Sequence, residues 1–243
     1  MDRTAIHYLP IGTTIISAVF CAILFSRYRA RRGLHLFWWA LGMFTYGLGT
    51  ALESAITLFG NTIVLTKAWY IAGALLGGYP LAQGSVYLHL KRRKANLLTA
   101  ITVPLLLVIA TLVAISPAIL SNLEPHRPSG AVLGWQWVRL TTPFVNMYSV
   151  IFLIGGAIYS AYRFSRMHDA DSGNRALGNT LIAAGAILPG IGGSMAKAGV
   201  VEALYVGEFV GVLFILAGYR ACLRPVRVPD VAVEPGSSSL RNA

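Results

Sequence analysis

Seven apolar runs of about twenty residues or more, separated by turn residues and short basic clusters, constrain this chain more than anything else in it. A helix of about twenty residues crosses a hydrocarbon core of about 30 Å. Inside that core a backbone must satisfy its own hydrogen bonds, which a helix does. The runs predict spans at Tyr8 to Ser26, Leu34 to Leu58, Thr66 to Leu90, Leu97 to Leu120, Val138 to Tyr162, Ala176 to Ala198 and Ala203 to Leu223. With 56% of residues hydrophobic and 12% charged, the composition departs from the globular norm in the same direction. The expected fold is an all-α integral membrane protein, a seven-transmembrane helix bundle over residues 1–224. Residues 225–243, rich in Pro, Ser and Gly, are expected to form a disordered cytoplasmic tail.

The basic residues set the expected orientation. Fifteen of the twenty Lys and Arg fall on one set of alternate connections (Arg27 to Arg32, Lys91 to Lys94, Arg163 to Arg175) and at the C-terminal end. The other side keeps Arg3, Lys67, Arg127, Arg139 and Lys197. The positive-inside rule then puts the N-terminus outside and the C-terminus in the cytoplasm of a multi-pass cell-membrane protein. The net charge of +11 is thereby accounted for by topology, with no nucleic acid implied. Basic residues follow the first apolar run rather than precede it, unlike a cleavable signal peptide.

The second span carries a carboxylate, Glu53, which is costly in hydrocarbon unless it is paired or wet. Trp39, Gly42, Tyr46, Gly49, Thr50, Glu53 and Thr57 recur at steps of three or four and share one face, which suits a helix looking into a bundle. Glu53 lies about six residues, roughly 9 Å, from the outer end of its span. Glu208, flanked by Gly207 and Gly211, lies near the same depth in the seventh. Lys67, Arg139 and Lys197 stand at outer helix ends, where snorkelling explains them. Gln83, Asn146, Tyr70, Tyr148 and Tyr205 add hydrogen-bonding capacity, with Asn146 and Gln83 read chiefly as contacts between helices. The expected ligand-binding set is Tyr46, Glu53, Lys67, Tyr70, Asn146, Tyr205 and Glu208, around an outer pocket. Trp38, Trp39, Trp69, Trp135 and Trp137 read as interfacial anchors. Gly185, Pro189, Gly190, Gly192 and Gly193 predict close packing with a kink or a loosened turn in the sixth span.

Other chemistries find little support. His7, His35, His89, His126 and His168 lie at or beyond span ends on different sides, so no metal site is expected. Cys21 and Cys222 imply no disulfide framework. Phosphate loops, nucleophile elbows and zinc-protease helices are absent from the sequence, and no cofactor is implied. The seventh span has no lysine for a retinal Schiff base.

Tyr46-Gly47-Leu48-Gly49-Thr50-Ala51-Leu52-Glu53 resembles the "W-x-x-G-x-x-x-E" stretch in the seven-helix N-terminal sensor region of bacterial histidine kinases and diguanylate cyclases. Lys67 to Gly73 resembles the start of that region's third helix, Leu181 to Pro189 its sixth and Gly207 to Tyr219 its seventh. Tyr46 stands where the family usually has tryptophan, and no output domain follows the seventh span in this sequence. The resemblance implies a plasma-membrane sensor that binds a small-molecule or lipid ligand and signals to a separate cytoplasmic protein, with a homo-oligomer compatible with it. The size and seven-span layout also look like those of the integral membrane terpene cyclases. That resemblance implies an enzyme in which Glu53 and Glu208 are catalytic acids. A transporter, the remaining alternative, is expected to keep polar residues in the inner half, where the sequence shows few.

Overall fold

The computed structural model describes residues 5–167, 169 and 171–224 of the 243. The expected tail at 225–243, and Arg3 and His168, lie outside them. Among the described residues the chain is helical, with no strand beyond isolated bridges in the connection 116–135. Helix α1 (Leu9–Arg31) opens with Pro10 in its first turn, where a missing N–H costs nothing, and closes at Arg32 in a left-handed conformation (φ 53°). After Gly33 the chain turns at once into α2 (Leu34–Phe59), which ends at Gly60 with a positive φ of 91°. Thr62 then caps α3 (Ile63–Trp69), its hydroxyl accepting from the Leu65 N–H at 3.2 Å.

The helix that α3 begins does not run straight. It widens into a π turn at Tyr70–Leu75, bends through Leu76 to Gly78, and restarts as α4 (Tyr79–His89). The bend leaves the Leu76 carbonyl outside the ladder, and Thr45 of α2 donates its hydroxyl to it at 3.3 Å. After α4 the chain enters α5 (Arg92–Ile115) directly, and Pro117 follows its end. The connection 116–135 folds over the far end of the bundle, pinned there by Asn61, whose Nδ2 donates to the carbonyls of Glu124 (2.9 Å) and Arg127 (3.0 Å). Next come α6 (Gln136–Arg139), α7 (Thr141–Ser149), a second π turn (Val150–Gly155) and α8 (Gly156–Ser165), continuous as one long helical stretch.

Helices α9 (Ser172–Lys197) and α10 (Glu202–Leu223) close the chain as a tight antiparallel hairpin. Glycines make it tight. A Cβ on Gly185 would stand 2.6 Å from the Gly211 carbonyl oxygen, and one on Gly207 would stand 2.7 Å from that of Leu188. Helix α9 stays helical through Pro189, and its Gly178, Gly185 and Gly192 serve close packing against α10.

Among the described residues, five helical stretches are long and apolar enough to cross a membrane: Ile6–Arg31, Arg92–Ile115, Gln136–Ser165, Ser172–Ala196 and Glu202–Leu223. The outer surfaces agree, since α5 exposes Leu97, Ile101, Leu105, Leu107 and Val108. The chain is a multi-pass membrane protein on this ground. Two of the seven expected spans are not among the five. Helix α2 has the length, but His35, two tryptophans, Tyr46, its glycines and threonines and Glu53 dilute it. The α3–α4 helix is broken. These two elements bring most of the polar side chains to the candidate site. They are sheltered by neighbours, α2 lying against α1 and α4.

The helices alternate in direction, so the bundle has a basic end (Arg27 to Arg32 and Lys91 to Lys94) and a glutamate end. Toward the basic end lies a network that is buried at Gln83 and reaches the surface at Asn96. Gln83 donates to Thr99 Oγ1 at 2.6 Å and accepts from the Tyr148 hydroxyl at 2.5 Å, Tyr79 meets Thr102 at 2.6 Å, and Tyr87 donates to Asn96 Oδ1 at 2.9 Å. Trp38 stacks on Tyr87 with centroids 6.4 Å apart and meets Tyr79 edge-on. This half is therefore more polar than the sequence indicated, with these groups bonded to one another across α4, α5 and α7.

Candidate functional site

Glu53 and Glu208 come together. Helix α2 brings Glu53 to the glutamate end on its buried face, α10 brings Glu208 to it, and the two carboxyl groups lie close enough to interact directly. Glu53 is only 1% exposed. Its Oε1 accepts a 2.7 Å bond from the indole N–H of Trp69, the last residue of α3 before the π turn. The approach of the two backbones makes that bond possible. A Cβ on Gly49 would lie 2.9 Å from the Gly73 Cα, so α2 and the π turn touch there with no side chain between them.

Tyrosines flank the pair. The Tyr46 hydroxyl, two turns from Glu53 on the same face, donates to the Glu208 main-chain carbonyl at 2.9 Å and ties α2 to α10. Tyr205, 2% exposed, sits within electrostatic reach of both acids, of Glu202 and of Arg127. His7 packs edge-on against the Tyr205 ring, with centroids 6.1 Å apart. Arg127, from the connection 116–135, donates to the Ala196 carbonyl at 3.3 Å and pairs with Glu124 at 3.8 Å. Among the described side chains no Lys or Arg forms an ion pair with either acid.

The site holds more oxygen than its hydrogen bonds use. Glu53 Oε2, Glu208 Oε2 and Thr57 Oγ1 are buried with no hydrogen-bond donor or acceptor from the described residues beyond the contact between the two carboxyls, and Ser17 Oγ on α1 is in the same condition. Thr57 lies one turn beyond Glu53 on the same face of α2. Two ionised carboxylates can only accept, so a hydrogen bond between them needs one proton held in common.

Of the side chains expected at a ligand site, Tyr46, Glu53, Tyr205 and Glu208 are brought together. Lys67, Tyr70 and Asn146 are not. Lys67 turns to α5, where its Nζ donates to the carbonyls of Ala114 (2.9 Å) and Ser116 (2.5 Å) and caps that helix end. The Tyr70 hydroxyl bonds Thr142 Oγ1 of α7 at 2.8 Å. Asn146 is exposed on the outside of α7. Trp69, read from the sequence as an interfacial anchor, belongs to the site as the donor to Glu53, and Thr57 belongs to it through its unpaired hydroxyl. No three His, Cys, Asp or Glu side chains converge among the described residues, so a transition-metal centre has no ligand set there. Compared with protein-family models, curated proteins and solved structures, the chain matches none.

Proposed function

We propose that this protein is a membrane sensor that takes its input at the Glu53–Glu208 pair and passes it to a separate cytoplasmic protein at the Lys91 to Lys94 connection. In this proposal the chain spans the membrane seven times, with the N-terminus outside, so that the paired acids face the outer half and the basic connection faces the cytoplasm. The observation that carries the reading is the Trp69–Glu53 bond. It ties the acid pair to the first residue before a π turn, and π turns are local departures from the helix that recur at functional sites. Beyond that turn, Leu76 to Gly78 and the eleven residues of α4 lead directly to Lys91. An input that changes the Glu53 carboxyl changes the hold on Trp69, and α4 can answer by shifting against Thr45 and Ser149, its neighbours at the bend. The input acts only by binding the two arrangements with different affinity.

The cyclase-like alternative uses the same acids. The sensor reading is preferred because the Trp69–Glu53 bond ties these acids to the π turn.

The test is a stability screen of the purified full-length protein in lipid nanodiscs against small solutes and lipids, read with hydrogen exchange of the segment Leu90 to Asn96. A compound present at about a hundred times its dissociation constant stabilises by roughly 2.7 kcal/mol. The expected result is a stabilising compound that also changes exchange in that segment, with both effects lost in Trp69→Phe. Stabilisation with unchanged exchange at Leu90 to Asn96 refutes the sensor.

A further inference from the structure

We propose that the Glu53–Glu208 site binds a monovalent metal cation in exchange for the proton shared by the two carboxyls. This rests on the sensor reading for its role but not for its chemistry. The argument starts from the unpaired oxygens. A shared proton bridges two atoms at most, yet Glu53 Oε2, Glu208 Oε2 and Thr57 Oγ1 are all buried without another partner. A cation collects several oxygens at once and serves all three. Glu53 Oε1 stays on Trp69, and the Tyr46 hydroxyl stays on the Glu208 main chain, so the frame around the ion is already held.

Charge selects the valence. With one proton between them the two carboxyls carry a single negative charge. When that proton leaves for water and a monovalent cation takes its place, the charge is again one negative, and the apolar interior sees no change. A divalent ion in the same exchange leaves the pair neutral rather than singly negative, so the buried charge changes.

The groups facing the pair are Tyr46 from α2, Trp69 from α3, Tyr205 and Glu202 from α10, His7 from the turn before α1, and Arg127 from the connection 116–135. Arg127 and the imidazole of His7 are not counted as ligands: Arg127 donates to Ala196 and pairs with Glu124, and His7 packs on the Tyr205 ring.

The experiment measures melting of the full-length protein in nanodiscs against lithium, sodium and potassium chloride, with N-methylglucamine chloride holding ionic strength constant, over a series of pH values. At least one alkali ion is expected to raise the melting temperature saturably, with a half-saturating concentration that falls about tenfold per pH unit while the proton competes, because deprotonation accompanies binding. Glu53→Gln is expected to abolish the response and Thr57→Val to weaken it several-fold; the second variant keeps the test decisive if the first fails to fold. Equal melting in alkali and glucamine salts at every pH overturns the proposal, and so does saturation whose midpoint ignores pH. Hydrogen exchange at Leu90 to Asn96, read in the same samples, separates the two claims. Alkali binding without a change there leaves this site standing and removes the sensor role. No alkali response, with a solute from the screen altering exchange, removes this site and leaves the sensor.

Discussion

The indole N–H of Trp69 is the donor to Glu53 Oε1, a buried acceptor, and Trp69→Phe removes it while keeping an aromatic ring. Leaving a buried acceptor unserved costs about 1–3 kcal/mol. A double-mutant cycle separates the bond from the lost ring volume: Trp69→Phe is expected to cost more in the native background than in Glu53→Gln, by about 1–3 kcal/mol in unfolding free energy measured in detergent. Equal cost in both backgrounds means the bond contributes nothing. The cycle also bears on how far single residues are legible from sequence. Glu53 and Glu208 stand out because a carboxyl in an apolar run is conspicuous, and their matching depth follows from counting residues. Tyr46 falls on the same helical face by spacing alone. Trp69 does not stand out, because an aromatic near a helix end has an interfacial explanation that needs no partner. Lys67 misleads for a related reason: its charge near the acids in sequence says nothing about the direction of its stem, which runs to the end of α5.

At the scale of elements, the contact between Gly49 and Gly73 decides whether α3 can offer Trp69 to α2 at all. A methyl on Gly49 meets backbone rather than a side chain that could swing away, so Gly49→Ala must push the π turn from α2. Overpacking of this kind costs about 1–3 kcal/mol. Gly190→Ala, whose Cβ meets nothing within 4 Å, is the matched control and is expected to leave the melting temperature unchanged or to raise it. Thermal unfolding of both variants in one detergent checks the pair, and equal destabilisation contradicts the close-packed geometry. Helices built from uninterrupted apolar runs are legible from the sequence: the seventh span, expected from Ala203 to Leu223, forms as Glu202–Leu223. The fourth is shifted, Arg92–Ile115 against Leu97 to Leu120, because charged residues readily continue a helix into the interface whereas Ser116-Pro117 ends one. The break in the third span is not legible. It depends on Gly73 meeting Gly49 of α2 and Gly78 meeting Ser149, contacts between segments far apart in the chain.

For the whole molecule, the same two elements that build the site are the ones with the weakest claim on the bilayer. Helix α2 is diluted by polar and aromatic residues and α3–α4 is broken, so in the proposed seven-span arrangement their insertion would rest on their neighbours and on the basic clusters that flank them. Arg27 to Arg32 and Lys91 to Lys94 bracket this weak pair on the same side. If charge holds the pair in place, replacing Lys91, Arg92, Arg93 and Lys94 together by glutamine should leave α1 and the α9–α10 hairpin oriented as before and yield a mixture in which α2 to α4 are misinserted. Glycosylation or phosphatase reporters placed after residue 60 and after residue 127 read those connections, and a fluorescent protein fused after the last residue reads the C-terminus. In the native chain both connections are expected on the outer side and the fluorescent fusion in the cytoplasm, as seven spans require. In the glutamine variant the reporter after residue 60 is expected to divide between the two sides while the fusion stays bright. A native chain whose reporter after residue 127 and C-terminal fusion lie on the same side has an even number of crossings between them, which contradicts the seven-span arrangement and the outward placement of the acid pair together.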